Sequence, residues 1–158
     1  MMKVGAVGLG NRITHVFLEF KKINPDFSLV AFVDPQPIGK NFAEQHNFFP
    51  SMQYSSLEVM LEKENLDLLM IGSPNHKHLE HIKIGLEAGL TIFAEKPIVA
   101  NEQQTWALAQ LIEKYGKDKV LVGLVLRYSK HGRSLRTLIN DNVIGSIVSI
   151  EASEHIMP

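Results

Sequence analysis

Short, almost continuously apolar runs alternate along this chain with longer segments of helical period, and that alternation restricts the fold more than any other feature. The runs are "KVGAVGL" (3–9), "SLVAFVD" (28–34), "LDLLMIG" (66–72), "LTIFA" (90–94) and "KVLVGLVL" (119–126). A strand with one wet face alternates apolar and polar residues, whereas a strand apolar throughout is covered on both faces. After the first run, "NRITHVFLEFKKI" spaces Ile13, Val16, Phe17, Phe20 and Ile23 at helical intervals. Further helices are expected near Ile38–His46, over "SSLEVMLEKE" with a serine cap, and from about Asn75 to a terminating Gly89. A last one covers "NEQQTWALAQLIEKYG", with Asn101 as cap and Leu108, Leu111, Ile112 and Tyr115 as its apolar stripe. This β-α order predicts an α/β fold: a doubly wound parallel sheet with helices on both sides.

The end of the chain has a different pattern. A helix over roughly 129–140 precedes "SIVSIEASEH" (146–155), where Val148, Ile150 and Ala152 alternate with Ser149, Glu151 and Ser153. That is the signature of a strand in an antiparallel sheet with one solvated face. No later strand is available to pair with it. Residues 1–124 are therefore expected to form the doubly wound domain, and 125–158 the first helix and strand of an incomplete α+β second domain.

Composition narrows the function. With 158 residues and 45% hydrophobic content, the chain can build one real core. Its formal net charge of −1 gives no overall attraction to nucleic acid or to an anionic membrane. The most basic window, "RYSKHGRSLR" (127–136), reads as the solvated face of a helix. The absence of cysteine excludes disulfides, thiolate catalysis and thiolate-held metal. No apolar run reaches the roughly 18 residues of a membrane span. The N-terminus lacks a signal-peptide cleavage pattern, so a cytoplasmic location is expected.

"VGLGNR" places Gly8 and Gly10 between the first strand and the first helix. Glycines there let the backbone turn tightly and approach a pyrophosphate, whose charge meets the free N–H groups of the helix start around Asn11 and Arg12. The third position of the G-x-G-x-x-G pattern is Ile13, which should hold helix and strand slightly further apart. Asp34 closes the second strand, 24 residues after Gly10, where a carboxylate can accept hydrogen bonds from the adenosine ribose. An acid there repels a 2′-phosphate, and Pro35 and Gln36 follow instead of an arginine. The expected cofactor is NAD, with NADP as the alternative.

The segment "GSPNHKHLEHI" packs three histidines into six residues after the third apolar run. On a helix starting near Asn75, His76 and His78 lie about 200° apart and cannot share a metal. His78 and His81 share a face but bring no third ligand, so no metal site is expected. His76 and His81 should be solvated and His78 half-buried at a polar position. The preceding "GSPN" stands at a strand C-terminus, the edge where parallel sheets bind ligands. At the same edge, "TIFAEKPIV" ends an apolar strand in Glu95, Lys96 and Pro97. A lysine beside a nicotinamide can hydrogen-bond a reacting hydroxyl, stabilise developing alkoxide or relay its proton.

These pieces together, "VGLGNR", "VDP", "SPNHKH", "LEAGLTIFAEKPIV" and "VGLVLRY" followed by "IGSIVSIEASEH", resemble the N-terminal part of the glucose–fructose oxidoreductase / inositol dehydrogenase (Gfo/Idh/MocA) family over nearly all 158 residues. The resemblance implies a Rossmann domain followed by a mostly antiparallel α/β domain that carries substrate and oligomer contacts. Lys96 matches the family's catalytic lysine, and Glu95 the acid beside it near the nicotinamide ribose. Ser73, Pro74, Asn75 and His78 match a cofactor-lining loop and helix start, and Arg127 an arginine near the site. Val125 stands where many members carry asparagine. The family's second-domain Asp and His would lie beyond Pro158. The implied activity is NAD(H)-dependent hydride transfer to or from a sugar or cyclitol hydroxyl, in a homo-oligomer assembled through the second domain. The alternatives are an NAD-dependent glycoside hydrolase of the same family and a non-catalytic dinucleotide-binding fragment.

Overall fold

The first strand, β1 (Met2–Val7), buries four consecutive residues from Val4 to Val7, which is what a strand at the centre of a covered sheet requires. The computed structural model describes residues 1–153. Around β1 it assembles β2 (Phe27–Val33), β3 (Met52–Gln53), β4 (Leu68–Ile71), β5 (Thr91–Ala94) and β6 (Val120–Val122). All neighbours pair in parallel, in the order β3-β2-β1-β4-β5-β6. The order reverses between β1 and β4, which creates a crevice at the carboxyl ends of those two strands.

Helices close both faces. On one side α1 (Asn11–Ile23) contributes Ile13 and Phe17, and α2 (Lys40–Gln45) contributes Ala43, against Val4, Ala6, Phe32, Met70 and Phe93. On the other, α3 (Leu57–Lys63), α4 (His78–Glu87) and α5 (Glu102–Tyr115) bring Leu57, Met60, Ile82, Leu86 and Leu108 onto Ala31, Leu69, Ile71 and Ile92. The expected caps are in place. Ser56 accepts the Val59 N–H at 3.3 Å, and Asn101 accepts the Gln104 N–H at 2.9 Å.

Several boundaries differ from expectation. The helix foreseen from Asn75 begins at His78, because Asn75–Lys77 after Pro74 makes a 3-10 turn first. β3 was not anticipated: two exposed residues carry no detectable period. The strand expected across 119–126 stops at Val122.

The chain divides into two compact units, Met1–Gly123 and the part from Leu124 onward. In the second, a 3-10 turn over Val125–Tyr128 leads to α6 (Lys130–Asn140), whose N-cap Ser129 accepts the Gly132 N–H at 3.0 Å. The strand expected over 146–155 does not form within 146–153, and Glu154 and His155 lie outside the described residues. Val148 and Ile150 stand 95% and 78% exposed. A strand is held by a partner's hydrogen bonds, and no neighbouring strand is present among the described residues to supply them.

Ile13 is 1% exposed, and the helix–strand gap expected from its size does not open. Its side chain fills the space a Cβ on Gly72 would occupy, so a glycine on β4's exit loop stands in for the missing third glycine of the turn. Gly72→Ala is accordingly expected to cost about 1–3 kcal/mol by overpacking. Ile13→Ala, which removes the clashing Cγ1, should make the double variant lose less in urea unfolding than the two single losses added together.

Candidate functional site

The parallel ladder continues one residue beyond β1, β4, β5 and β6 and builds the floor of the crevice. Gly8 N–H donates to Val33 O at 2.8 Å, Gly72 N–H to Val7 O at 2.9 Å, Glu95 N–H to Ile71 O at 2.9 Å and Gly123 N–H to Ala94 O at 2.8 Å. Three segments far apart in sequence are thereby lined up at one edge: the glycine turn, the "GSPN" loop and Glu95-Lys96.

The two glycines of the turn do different things. Gly8 has φ +81°, and a Cβ there would run into the backbone of Gly72 and Ser73, so it permits the close approach of two loops. Gly10 faces open space, with nothing within 4 Å of a Cβ built on it. It is also the N-cap of α1, with no side-chain cap and no acid in the first turn. The first N–H groups of α1 are thus free to meet an anion.

Two cavities flank this point. The larger, about 620 Å³, runs from Gly8 and Gly10 past Asp34, Pro35 and Gln36 to Ser73, Pro74, Lys77 and His81, and includes Ser55, Ser56 and Glu58. Asp34 anchors it. One carboxylate oxygen accepts the Leu9 N–H at 2.7 Å and the other the Gln36 N–H at 2.8 Å, which ties the end of β2 to the glycine turn. Each oxygen retains a further lone pair for a ligand hydroxyl. Glu58's own backbone N–H, followed by the Ser56 hydroxyl, holds its carboxyl below the usual carboxylate range. The smaller cavity, about 310 Å³, is lined by Gly10, Arg12, Ile13, Gly72, Ser73, Asn75, His78, Glu95 and Lys96.

Glu95 is 7% exposed, and its Oε1 is the buried side-chain polar atom without a hydrogen-bond partner among the described residues. Arg12 Nε stands 3.5 Å from that oxygen as an ion-pair partner, and Oε2 accepts the Lys96 N–H at 3.3 Å. A buried carboxylate with an open acceptor position is costly unless something completes it. The Lys96 side chain is exposed beside it. The uncapped helix, the space at Gly10 and the unfilled acceptor on Glu95 all suit a diphosphate-linked dinucleotide.

The histidines sort differently from expectation. His76 is exposed and His81 half-buried, whereas His78 is 1% exposed instead of half-buried, because its first turn packs beneath both loops. No group of three or more metal-ligating side chains occurs among the described residues. His81 Nδ1 lies 2.9 Å from Ser73 Oγ. Its part in the larger cavity was missed, as were those of Ser55, Ser56, Glu58 and Lys77. The serine-cap signal marked α3, but nothing in the sequence said that α3's start faces the crevice. Asn11 opens α1 without lining either cavity, and Arg127 lies exposed in the second unit. No helix among the described residues is long and apolar enough to cross a membrane.

Gly10→Ala is expected to leave the fold intact while lowering NAD affinity at least about tenfold, or about 1.4 kcal/mol, by titration calorimetry. Burial, reinforced by Lys77 and His78 and opposed by Glu80 and Glu58, holds His81 below the ordinary histidine pKa. The unfolded chain therefore takes up a proton near pH 6.5, by about which value the folded ring has not. His81's contribution should make stability fall as pH drops below about 6.5, levelling once the folded ring also protonates. His81→Gln should flatten that limb of the urea midpoint plotted against pH.

A family model described as an oxidoreductase family with an NAD-binding Rossmann fold matches residues 2–124. Among curated proteins, the chain is 27% identical over 120 residues to a 2,7-anhydro-N-acetylneuraminate hydratase of Mediterraneibacter gnavus, covering 76% of this chain and 31% of that protein. It is 26% identical over 152 residues to a D-glucoside 3-dehydrogenase of Escherichia coli, covering 92% and 41%. A scyllo-inositol dehydrogenase from Lactobacillus casei, solved with NAD(H) and scyllo-inositol bound, superposes with a TM-score of 0.76 at 25% identity, covering 92% of this chain and 42% of that one. The chain thus spans less than half the length of these relatives. It belongs to the Gfo/Idh/MocA oxidoreductase family, and residues 2–124 match that family's NAD-binding Rossmann domain.

Proposed function

We propose that the whole protein transfers hydride between NAD(H) and a hydroxyl-bearing carbon of a sugar or cyclitol, and that this chain carries the cofactor half of the site. The observation that bears most weight is that Lys96 lines the same cavity as Gly10 and Arg12, at the carboxyl edge where β5 ends. The α1 N-terminus and Gly10 would receive the diphosphate, Asp34 the adenosine ribose, and Ser73, Pro74 and Asn75 the wall between them. When bound, NAD supplies the hydride acceptor or donor.

Lys96 is assigned to the reacting oxygen. In oxidation its amine would take the hydroxyl proton while hydride leaves the adjacent carbon and the C=O bond forms; in reduction its ammonium group would hydrogen-bond the carbonyl oxygen, stabilise the charge that oxygen gains as hydride arrives, and give it the proton. Glu95, buried and open on Oε1, orients Lys96 and accepts a ribose hydroxyl. Asp34 favours NAD over NADP, because a second negative charge beside its carboxylate is repelled. His78, which shares the family pattern, acts from beneath this arrangement, and Arg127 is assigned to cofactor binding by the same pattern alone. The substrate class is supported by the glucoside and scyllo-inositol dehydrogenases to which the chain is similar. The exposed apolar residues Leu126, Val143, Ile144 and Val148 suit a second domain that packs in the whole protein and joins its copies, in a cytoplasmic homo-oligomer.

Lys96→Ala in the whole protein should lower kcat for polyol oxidation by about 100-fold or more, the scale of general acid–base assistance. NAD affinity should change by less than about threefold, measured as NADH formation and by calorimetry. An unchanged kcat would remove the lysine from the chemistry. Hydrolysis of a glycoside with NAD retained and no net NADH would assign the protein to the hydrolase branch instead.

A further inference from the structure

His78 is the buried histidine that the chemistry above leaves without a direct task. Its ring Nε2 lies 2.7 Å from Ser73 O and its Nδ1 2.8 Å from Pro97 O. Those carbonyls belong to two loops, one leaving β4 and one following Lys96. His78, the first residue of α4, is 1% exposed. We propose that His78 is a positioning residue that acts as a two-donor bridge, fixing the Lys96 loop against the cofactor-lining loop.

A carbonyl oxygen only accepts, so both contacts are hydrogen bonds only if both ring nitrogens carry hydrogen. The bridge is therefore the imidazolium form. A neutral ring would donate to one loop and turn a lone pair toward the other carbonyl. Charge-assisted bonds of this kind are shorter and stronger than neutral ones, in keeping with 2.7 and 2.8 Å. Glu95 offers a counter-charge in the same cavity, and Arg12 and Lys96 are its cationic neighbours there. His81 follows three residues later on α4.

Geometry gives this bridge a consequence for turnover. Pro97 follows Lys96 directly, so a bond to its carbonyl sets where the lysine's backbone sits. The diphosphate and the adenosine ribose are assigned above to the glycine turn and Asp34, with which His78 makes no hydrogen bond. Removal of the bridge should displace Lys96 more than it weakens NAD. A shift of about 1 Å at a reacting group can cost about 100-fold in rate.

The proposal rests on Lys96 as the proton-handling residue, and its test separates the two. In 15N-labelled protein at neutral pH, a long-range 15N–1H spectrum should show both His78 ring nitrogens protonated; a neutral tautomer overturns the bridge whatever Lys96 does. In the whole protein, His78→Phe should lower kcat about 10- to 100-fold with NAD affinity changed less than about threefold. His78→Gln, which keeps a donor, should fall between the two. An unchanged kcat, or NAD affinity falling in proportion to kcat, overturns the positioning role. If Lys96→Ala leaves kcat unaltered while both ring nitrogens are protonated, the bridge stands and the reading of Lys96 fails.

Discussion

The carboxyl edge of the sheet depends on one set of interactions: backbone hydrogen bonds that extend the parallel ladder one residue past β1, β4, β5 and β6. Gly8, Gly72, Glu95 and Gly123 donate in turn to Val33, Val7, Ile71 and Ala94. These bonds depend only on strand register, and register is pinned because a one-residue slip would turn buried side chains to the wrong face. In β4 the partners alternate strictly, Leu69 and Ile71 toward one core and Leu68 and Met70 toward the other. Packing of the two apolar layers therefore decides where a lysine, an acid and a glycine turn come to lie.

The loops above that edge are held by polar contacts that the apolar pattern does not specify. Asp34 binds the glycine turn through the Leu9 N–H, and His78 spans Ser73 and Pro97. Both are side chains acting on backbone. Such contacts fix a loop through its backbone, so Asn75 and Lys96 stay available at the cavity wall. Glu95 differs in kind. Its buried Oε1 is satisfied only in part by Arg12 at 3.5 Å, and it marks the point where the protein's own groups leave an acceptor open.

Most elements were legible because each carries its own local signal. The apolar runs gave β1, β2, β4 and β5, and Ser56 and Asn101 marked helix starts through a hydroxyl and an amide that accept a nearby N–H. The errors have equally local causes. Two residues are too few to show a period, so β3 was invisible, and with it the placement of Ser55–Glu58 on the larger cavity. The alternation in 146–153 was a true pattern, but the partner that would make it a strand is not among the described residues. Ile13 looked like a misfit for the turn because its compensation, Gly72, lies about sixty residues away.

By itself the sequence determined the layered α/β architecture, the glycine turn with its acid at the second strand, and the grouping of Glu95 and Lys96 at a strand end. Each follows from residues close together in the chain, where period, turn chemistry and capping act. Tertiary structure alone decided that Gly8 serves loop packing while Gly10 leaves room. It also decided that His78 is buried between two carbonyls and not displayed with its neighbours, and that Arg12 reaches Glu95. Those outcomes depend on distances between segments brought together by the sheet, and no local pattern encodes a distance of that kind.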